Sequence, residues 1–338
     1  MPGAAILEVE DLVVEFPRDH ERLRAADGVS FGVGQGEIVG LVGESGCGKS
    51  VTALALFRLV PEPGRIAAGA VRLGGVELLA LPERELRRYR GAGIAYVPQE
   101  PGEALNPVVR IGAQIVDVIR AHRSVSRKAA WDEAVDLLRR VGIADPERRA
   151  RQYAHQFSGG MKQRALIAMA LAARPRVLVA DEPTTALDPT IQAGILDLLA
   201  SLARDEGLGV LLITHDLGVV ASACDRVLVM YAGRIVEQAG VATLFEEPAH
   251  PYTRALLAAL PRPGVSRGAL PAIRGAVPDL ARLPPGCPFH PRCPVAIPAC
   301  RDVEPAPVAL GPDHAVRCLL ASPDDAAGDS ADRPEERP

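Results

Sequence analysis

The run Gly43-Glu44-Ser45-Gly46-Cys47-Gly48-Lys49-Ser50 limits what this chain can fold into more than any other stretch. It fits the pattern G-x-x-x-x-G-K-[ST], in which glycines let backbone N–H groups curl around phosphate oxygens. The flanks suit such a loop. Ile38-Val39-Gly40-Leu41-Val42 reads as a buried strand leading in, and the stretch from Val51 to Leu56 as the first turns of a helix leading out. The helix N-terminus adds partial positive charge at the same place. Gly43, Ser45, Gly46, Cys47, Gly48 and Val51 are thus expected around the phosphates, Lys49 at the β- and γ-phosphates, and Ser50 on Mg²⁺. A chance match in a glycine-rich loop is the competing explanation, and the flanks disfavour it.

A second apolar run, Arg176-Val177-Leu178-Val179-Ala180-Asp181-Glu182-Pro183, ends in two carboxylates. In a doubly wound sheet ligands gather at the C-terminal ends of strands, so these acids are expected to face the phosphate loop. Asp181 suits a contact to Mg²⁺, and Glu182 suits polarising the water that attacks the γ-phosphate. Paired acids after a strand are commonly a helix cap or a solvated turn. Following a phosphate loop they point to a nucleoside triphosphatase.

Upstream of Asp181 lies Gln156-Phe157-Ser158-Gly159-Gly160-Met161-Lys162-Gln163-Arg164, then the apolar helix 165–171. Ser158, Gly159 and Gly160 form another anion nest at a helix start, although a plain N-cap has the same look. Between a phosphate loop and an Asp-Glu strand, the run resembles the signature of ATP-binding cassette (ABC) proteins. Gln99, after the strand-like Ile94–Pro98, resembles the Q-loop residue of that family. His215, after Val210–Thr214, resembles its switch histidine, and Ala186-Leu187-Asp188 its D-loop. The resemblance spans about residues 5–250. It implies an α/β fold: a P-loop NTPase cassette with a RecA-like core sheet, an antiparallel β part and a helical subdomain at about 100–160. It also implies catalytic roles for Glu182, His215 and Gln99, with Gln99 near Mg²⁺. Phe16 takes the place of the aromatic that stacks on adenine, where the family more often has Tyr; a packed core Phe is the alternative. Nucleotide in this family is sandwiched between two cassettes. One phosphate loop, one signature and no internal repeat therefore imply a second ATPase subunit, related and non-identical in many members of this class.

Composition narrows the setting. The 338 residues are 48% hydrophobic with a formal net charge of −4, enough for a cassette and a smaller appendage and without a broad basic footprint for nucleic acid. Apolar runs are too short to span a bilayer, and the opening Met1–Ile6 has no secretory pattern. Membrane work is thus expected through docking. From Gly112 to Tyr153, Ile115, Val118 and Ile119, then Ala134, Leu137, Leu138 and Val141, recur at helical spacing, and Trp131 is expected to cap that core.

The stretch Glu100–Pro107, the segment His250–Ala259 and the run Leu283–Pro294 are similar to ATPase subunits of oligopeptide and dipeptide importers. That resemblance implies ATP-driven import of di- or oligopeptides, with two transmembrane permease subunits and an extracytoplasmic binding protein as partners. It also implies a peripheral position on the cytoplasmic face of the inner membrane. Another cargo (nickel, glutathione, an antimicrobial peptide) is the alternative. Cys287, Cys293, Cys300 and Cys318, spaced C-x5-C-x6-C-x17-C in a proline-rich extension at 251–321, suggest a staple in place of a core. Disulfides are disfavoured without an export signal, Zn²⁺ usually takes closer cysteine pairs, and four unligated cysteines are the alternative to any staple. Resemblance to the importer subunits implies a [4Fe–4S] cluster. His290 and His314 nearby are expected in solvent, Cys47 to be oxidant-sensitive if its pKa is lowered, and residues 322–338 to be disordered.

Overall fold

The computed structural model describes residues 5–18, 21–185, 187–260 and 273–322. The opening residues 1–4, Ala186 of the D-loop run and residues 323–338 of the expected disordered tail lie outside the described residues. Among the described residues, twelve strands fall into two sheets. The smaller sheet is antiparallel and contains β1 (Leu7–Arg18), β2 (Glu21–Val33), β4 (Arg65–Leu73) and β5 (Val76–Glu77) in the order β2-β1-β4-β5.

The larger sheet has eight strands. Its centre is β9 (Arg226–Tyr231), β3 (Ile38–Val42), β8 (Gly209–Thr214), β7 (Val177–Asp181) and β6 (Ile94–Val97), in that order and all parallel. Every residue of β3, β7 and β8 is buried, as expected of parallel strands covered on both faces. The pleat divides them cleanly. Leu178, Ala180, Val210 and Leu212 pack into the core under the mid-chain helices, while Val177, Val179, Leu211 and Ile213 face the antiparallel sheet.

The mid-chain periodicity predicted helices, and Ile111–His122 and Arg127–Arg140 form there. Ile115, Ile119, Ala134, Leu137, Leu138 and Val141 are buried in one core, with Val118 and Trp131 at its margin. Ser126 starts the second helix by accepting from Ala129 N.

Beyond β9 the sheet continues antiparallel through β10 (Arg234–Gly240), β12 (Ala315–Val316) and β11 (Val308–Ala309). Glu237↔Val316 and Gln238↔Ala315 are the paired positions, so the end of the chain adds to the sheet that carries the phosphate loop. The expectation of a staple in place of a core is corrected here. Tyr231, Tyr252 and Phe289 are all buried and lie 4.6–5.4 Å apart by ring centroid, a small aromatic core between cassette and extension. Two histidine expectations are corrected as well. His290 is part-buried with Nδ1 3.0 Å from the carbonyl of Cys287, and His314 places Nε2 2.9 Å from buried Glu237. Glu237 also accepts from the amides of Ala249 and His250, so two separate segments close on one carboxylate. His250 is held neutral, its pKa pushed down by burial to about 4, and its Nδ1 accepts from Tyr252 N to cap the helix Pro251–Ala258.

Candidate active site

Because β3, β6, β7 and β8 run parallel, their C-terminal ends open on one side, and each delivers part of a cleft of about 550 Å³. After β3 the phosphate loop turns into the helix Lys49–Leu56. Two glycines there are required by geometry. A Cβ on Gly43 (φ 157°) would lie 2.2 Å from the Met230 carbonyl, and one on Gly48 (φ 109°) would lie 2.0 Å from the Ala25 carbonyl. Ser45, Gly46, Gly48, Lys49, Ser50 and Val51 line the cleft. Gly43 and Cys47 lie behind it, and the Cys47 amide bonds the Glu44 carbonyl at 3.2 Å. Cys47 is fully buried, which pushes its thiol up despite nearby Lys49; the expected oxidant sensitivity therefore does not follow. The Lys49 side chain arches over the loop, its Nζ donating to the carbonyls of Gly43 (2.8 Å) and Glu44 (3.2 Å).

At the end of β7, Asp181 Oδ2 accepts from the Tyr96 hydroxyl at 3.0 Å, while its buried Oδ1 has no hydrogen-bond partner among the described residues. Burial raises the Asp181 pKa, although the hydroxyls of Ser50 and Tyr96 oppose this. A desolvated carboxylate oxygen with a free lone pair beside Ser50 suits a hard cation, so these residues fit Mg²⁺.

Glu182 follows in the left-handed region (φ 48°), its amide bonded to the Ile213 carbonyl at 2.8 Å. That conformation is strained for a residue with a Cβ, and here it turns the side chain back into the cleft. Three donors meet there. Gln99 Nε2 lies 3.1 Å and Thr185 Oγ1 2.8 Å from Oε2, with His215 Nδ1 3.1 Å from Oε1. Burial pushes the Glu182 pKa up, but Thr185, His215 and Lys49 outweigh it and hold the carboxylate below its ordinary range. The site therefore presents an ionised carboxylate surrounded by polar hydrogen, facing a phosphate-shaped loop.

Phe16 also lines the cleft, packed so closely on the Gly64 backbone that a Cβ there would meet its ring at 2.4 Å. Ser158, Gly159 and Gly160 are not in the cleft. Ser158 caps the helix Gly159–Leu171 by accepting from Met161 N at 3.3 Å, and both Ser158 and Gly159 are exposed. The sequence reading missed Thr185, Tyr96 and three cleft-lining apolar residues, Leu23, Ala25 and Leu280. Thr185 stands three positions after Glu182, a spacing that favours a side-chain contact; Leu280 carries no local signal at all.

In the extension, burial raises the thiols of Cys287 and Cys293, and neighbouring cysteines raise both further. Cys287 N also donates to the Cys300 carbonyl at 2.9 Å. Among the described residues, no three Cys, His, Asp or Glu side chains stand in metal-ligating arrangement. The donor chemistry is that of an iron–sulfur or zinc site, without ligand geometry.

Comparison with known proteins agrees with this layout. The ABC transporter family matches residues 26–185, and the oligopeptide/dipeptide transporter C-terminal region matches 236–300. A Sinorhizobium fredii protein named "Probable peptide ABC transporter ATP-binding protein y4tR" is 51% identical over 93% of this chain and 94% of its own length. This chain belongs to the ATP-binding subunits of the oligopeptide/dipeptide ABC transporter family. The dipeptide transport ATP-binding protein DppD of Haemophilus influenzae is 46% identical over 93% of this chain and 95% of DppD. Among solved structures, the dimeric cassette MJ0796 bound to ADP and Pi superimposes with a TM-score of 0.63 at 25% identity, covering 70% of this chain and 98% of that one. The subunit is thus an ATPase built on the cassette fold, and among its described residues no helix is long and apolar enough to cross a membrane.

Proposed function

We propose that this subunit hydrolyses ATP to drive import of di- or oligopeptides. The observation that carries the hydrolytic half is the ionised Glu182 held by Gln99, Thr185 and His215 at the mouth of the phosphate loop. Relatives named for peptide and dipeptide transport support the cargo.

Lys49, Ser50 and the loop amides bind the triphosphate, and Phe16 stacks on adenine. Ser50, Gln99 and Asp181 would hold Mg²⁺, which neutralises phosphate charge when bound. Glu182 accepts a proton from the attacking water while His215 and Thr185 keep its carboxylate oriented. The exposed Ser158 and Gly159 close on the nucleotide of a second, related cassette, and the partner's signature closes on this one. That arrangement is supported by the dimeric state of MJ0796. The partners would be two transmembrane permease subunits, served by an extracytoplasmic peptide-binding protein, with this chain peripheral on the cytoplasmic face of the membrane. Cys287, Cys293, Cys300 and Cys318 would hold a [4Fe–4S] cluster, a reading that rests on four thiols in one short extension.

Two experiments test these readings. Reconstitution with the permeases and binding protein in vesicles should give ATP-dependent uptake of labelled peptide in preference to nickel or glutathione; preference for either of those replaces the cargo. Purification without oxygen should yield about four irons and four sulfides per chain, and a single zinc removes the cluster.

A further inference from the structure

The C-terminal extension does more than pack on the cassette. Arg292, the residue before Cys293, reaches the phosphate loop itself. Its Nη1 and Nη2 lie 2.7 and 2.9 Å from the two carboxylate oxygens of Glu44, a bidentate pair between residues 248 positions apart. The arginine is built in. Its side chain is only 5% exposed, Nε donates to the Arg274 carbonyl at 3.0 Å, and the guanidinium lies against the rings of Tyr231 and Phe289. The pairing with Glu44 raises the Arg292 pKa, so its charge is permanent.

Glu44 is well placed to pass that contact on. Its amide donates to the Tyr252 hydroxyl at 3.0 Å, and its carbonyl accepts from Lys49 Nζ and from the Cys47 amide. One residue therefore links the extension on one side to the ammonium that meets the phosphates on the other. Gly43, just before it, is pinned against β9. Glu44 also places a negative charge in a loop whose task is to hold a triphosphate. Like charges in one loop repel, and the Arg292 guanidinium beside the carboxylate offsets that.

We infer that Arg292 is a positioning residue of the ATP site: by clamping and neutralising Glu44, the extension sets the shape and charge of the phosphate loop. The cysteine segment is thereby mechanically continuous with the site of hydrolysis, whatever the four thiols hold. This inference rests on the ATP-binding reading of the cleft.

The test is a charge-cancelling pair of substitutions read by equilibrium binding of a fluorescent ATP analogue to the purified full chain. Arg292→Gln leaves Glu44 unpaired and should raise the Kd about tenfold, the scale of one lost charged hydrogen-bond pair. Adding Glu44→Gln removes the repelling charge and should bring the Kd back to within about threefold of the parent. The single variant's defect should also shrink between 0.1 and 1 M salt, as the screening length falls from about 10 to about 3 Å. Arg292→Lys, which keeps the charge but not the fork, should weaken binding two- to fourfold, roughly a fraction of the lost pair, and serves if Arg292→Gln does not fold. An unchanged Kd in Arg292→Gln or, if only that one folds, in Arg292→Lys overturns the inference. So does a double variant as weak as the single, which is what a packing role alone predicts. Parent protein that binds no ATP analogue overturns the cleft reading itself and is distinguished from both.

Discussion

Replacing Glu182 by Gln keeps the side chain's length and shape and removes its charge. In the native site the carboxylate takes donors on both oxygens, from Gln99 and Thr185 on one and facing His215 on the other, at 2.8–3.1 Å. A glutamine offers one acceptor oxygen and one NH2 group, so at least one partner must turn from donor to acceptor, His215 by changing tautomer or Thr185 by rotating its hydroxyl. The structural cost is of the order of 1–2 kcal/mol, the difference between charged and neutral hydrogen bonds at a half-buried site. The catalytic cost is larger. A positioned general base contributes roughly 10²–10⁴ in rate, about 2.7–5.4 kcal/mol at about 1.36 kcal/mol per decade. Phosphate release at saturating Mg-ATP should therefore fall by that factor while the Kd for ATP stays within about threefold, because Lys49 and the loop amides are untouched. Turnover within fivefold of the parent would refute the base role, and loss of ATP binding would show that Glu182 shapes the pocket instead. The pH profile gives a second check. Glu182 has a pKa below the ordinary carboxylate value of 4.5, so it is ionised above that and loses its proton-accepting form only as pH falls through the lowered value. Any loss of rate between about pH 7 and 5.5 then belongs to another group, since unperturbed histidine titrates near 6.5.

Asp181→Asn should abolish the tightening of ATP binding by Mg²⁺ and leave binding in EDTA unchanged, because the orphaned Oδ1 is the oxygen best suited to the cation; equal Mg²⁺ dependence in titrations of both proteins would exclude it as a ligand residue. Phe16→Ala should weaken ATP binding by about 1–3 kcal/mol, the range of one base–aromatic stack, and isothermal titration showing no loss would leave Phe16 a packing residue against Gly64. Phe289→Ala removes a fully buried ring in contact with Tyr231 and Tyr252, at a cost of about 3–5 kcal/mol or roughly 4–7 °C in Tm for a chain of 338 residues. A shift under 2 °C in a thermal melt would mean that the extension does not depend on this core.

Local chemistry made much of the site legible. A strand, a glycine loop and a helix are consecutive in the chain, and Asp181 and Glu182 sit together at a strand end, so their roles follow from spacing alone. Parallel pairing then brings Gln99 and His215 to the same side without further information. The strand boundaries followed from continuous apolar runs, with β3 matching its predicted range and β7 and β8 shifting by a residue or so. What escaped depends on contacts between distant segments. Neither the Arg292–Glu44 pair nor the meeting of His314 with Glu237 has a periodicity or motif to announce it. The expectation that His290 and His314 are solvated fails because their partial burial comes from Glu237, more than fifty residues from His314, and from the cysteine turn around His290. The buried state of Cys47 was hidden for the same reason, since the strand that covers the loop is β9.

The pairing of β12 with β10 has a consequence for how the subunit is made. Strand β10 presents an unpaired backbone edge until Ala315 and Val316 arrive, and exposed strand edges are templates for aberrant association. On the ribosome, the 76 residues separating Gly240 from Val316 take roughly 4–15 s to add at about 5–20 residues per second. During that interval a nascent cassette could complete its parallel centre while its flank is still bare. Truncation before residue 315 is therefore expected to produce self-associating material even where the nucleotide site is whole, and the newest stretch of polypeptide would act as the chain's own protection against sticking to its siblings.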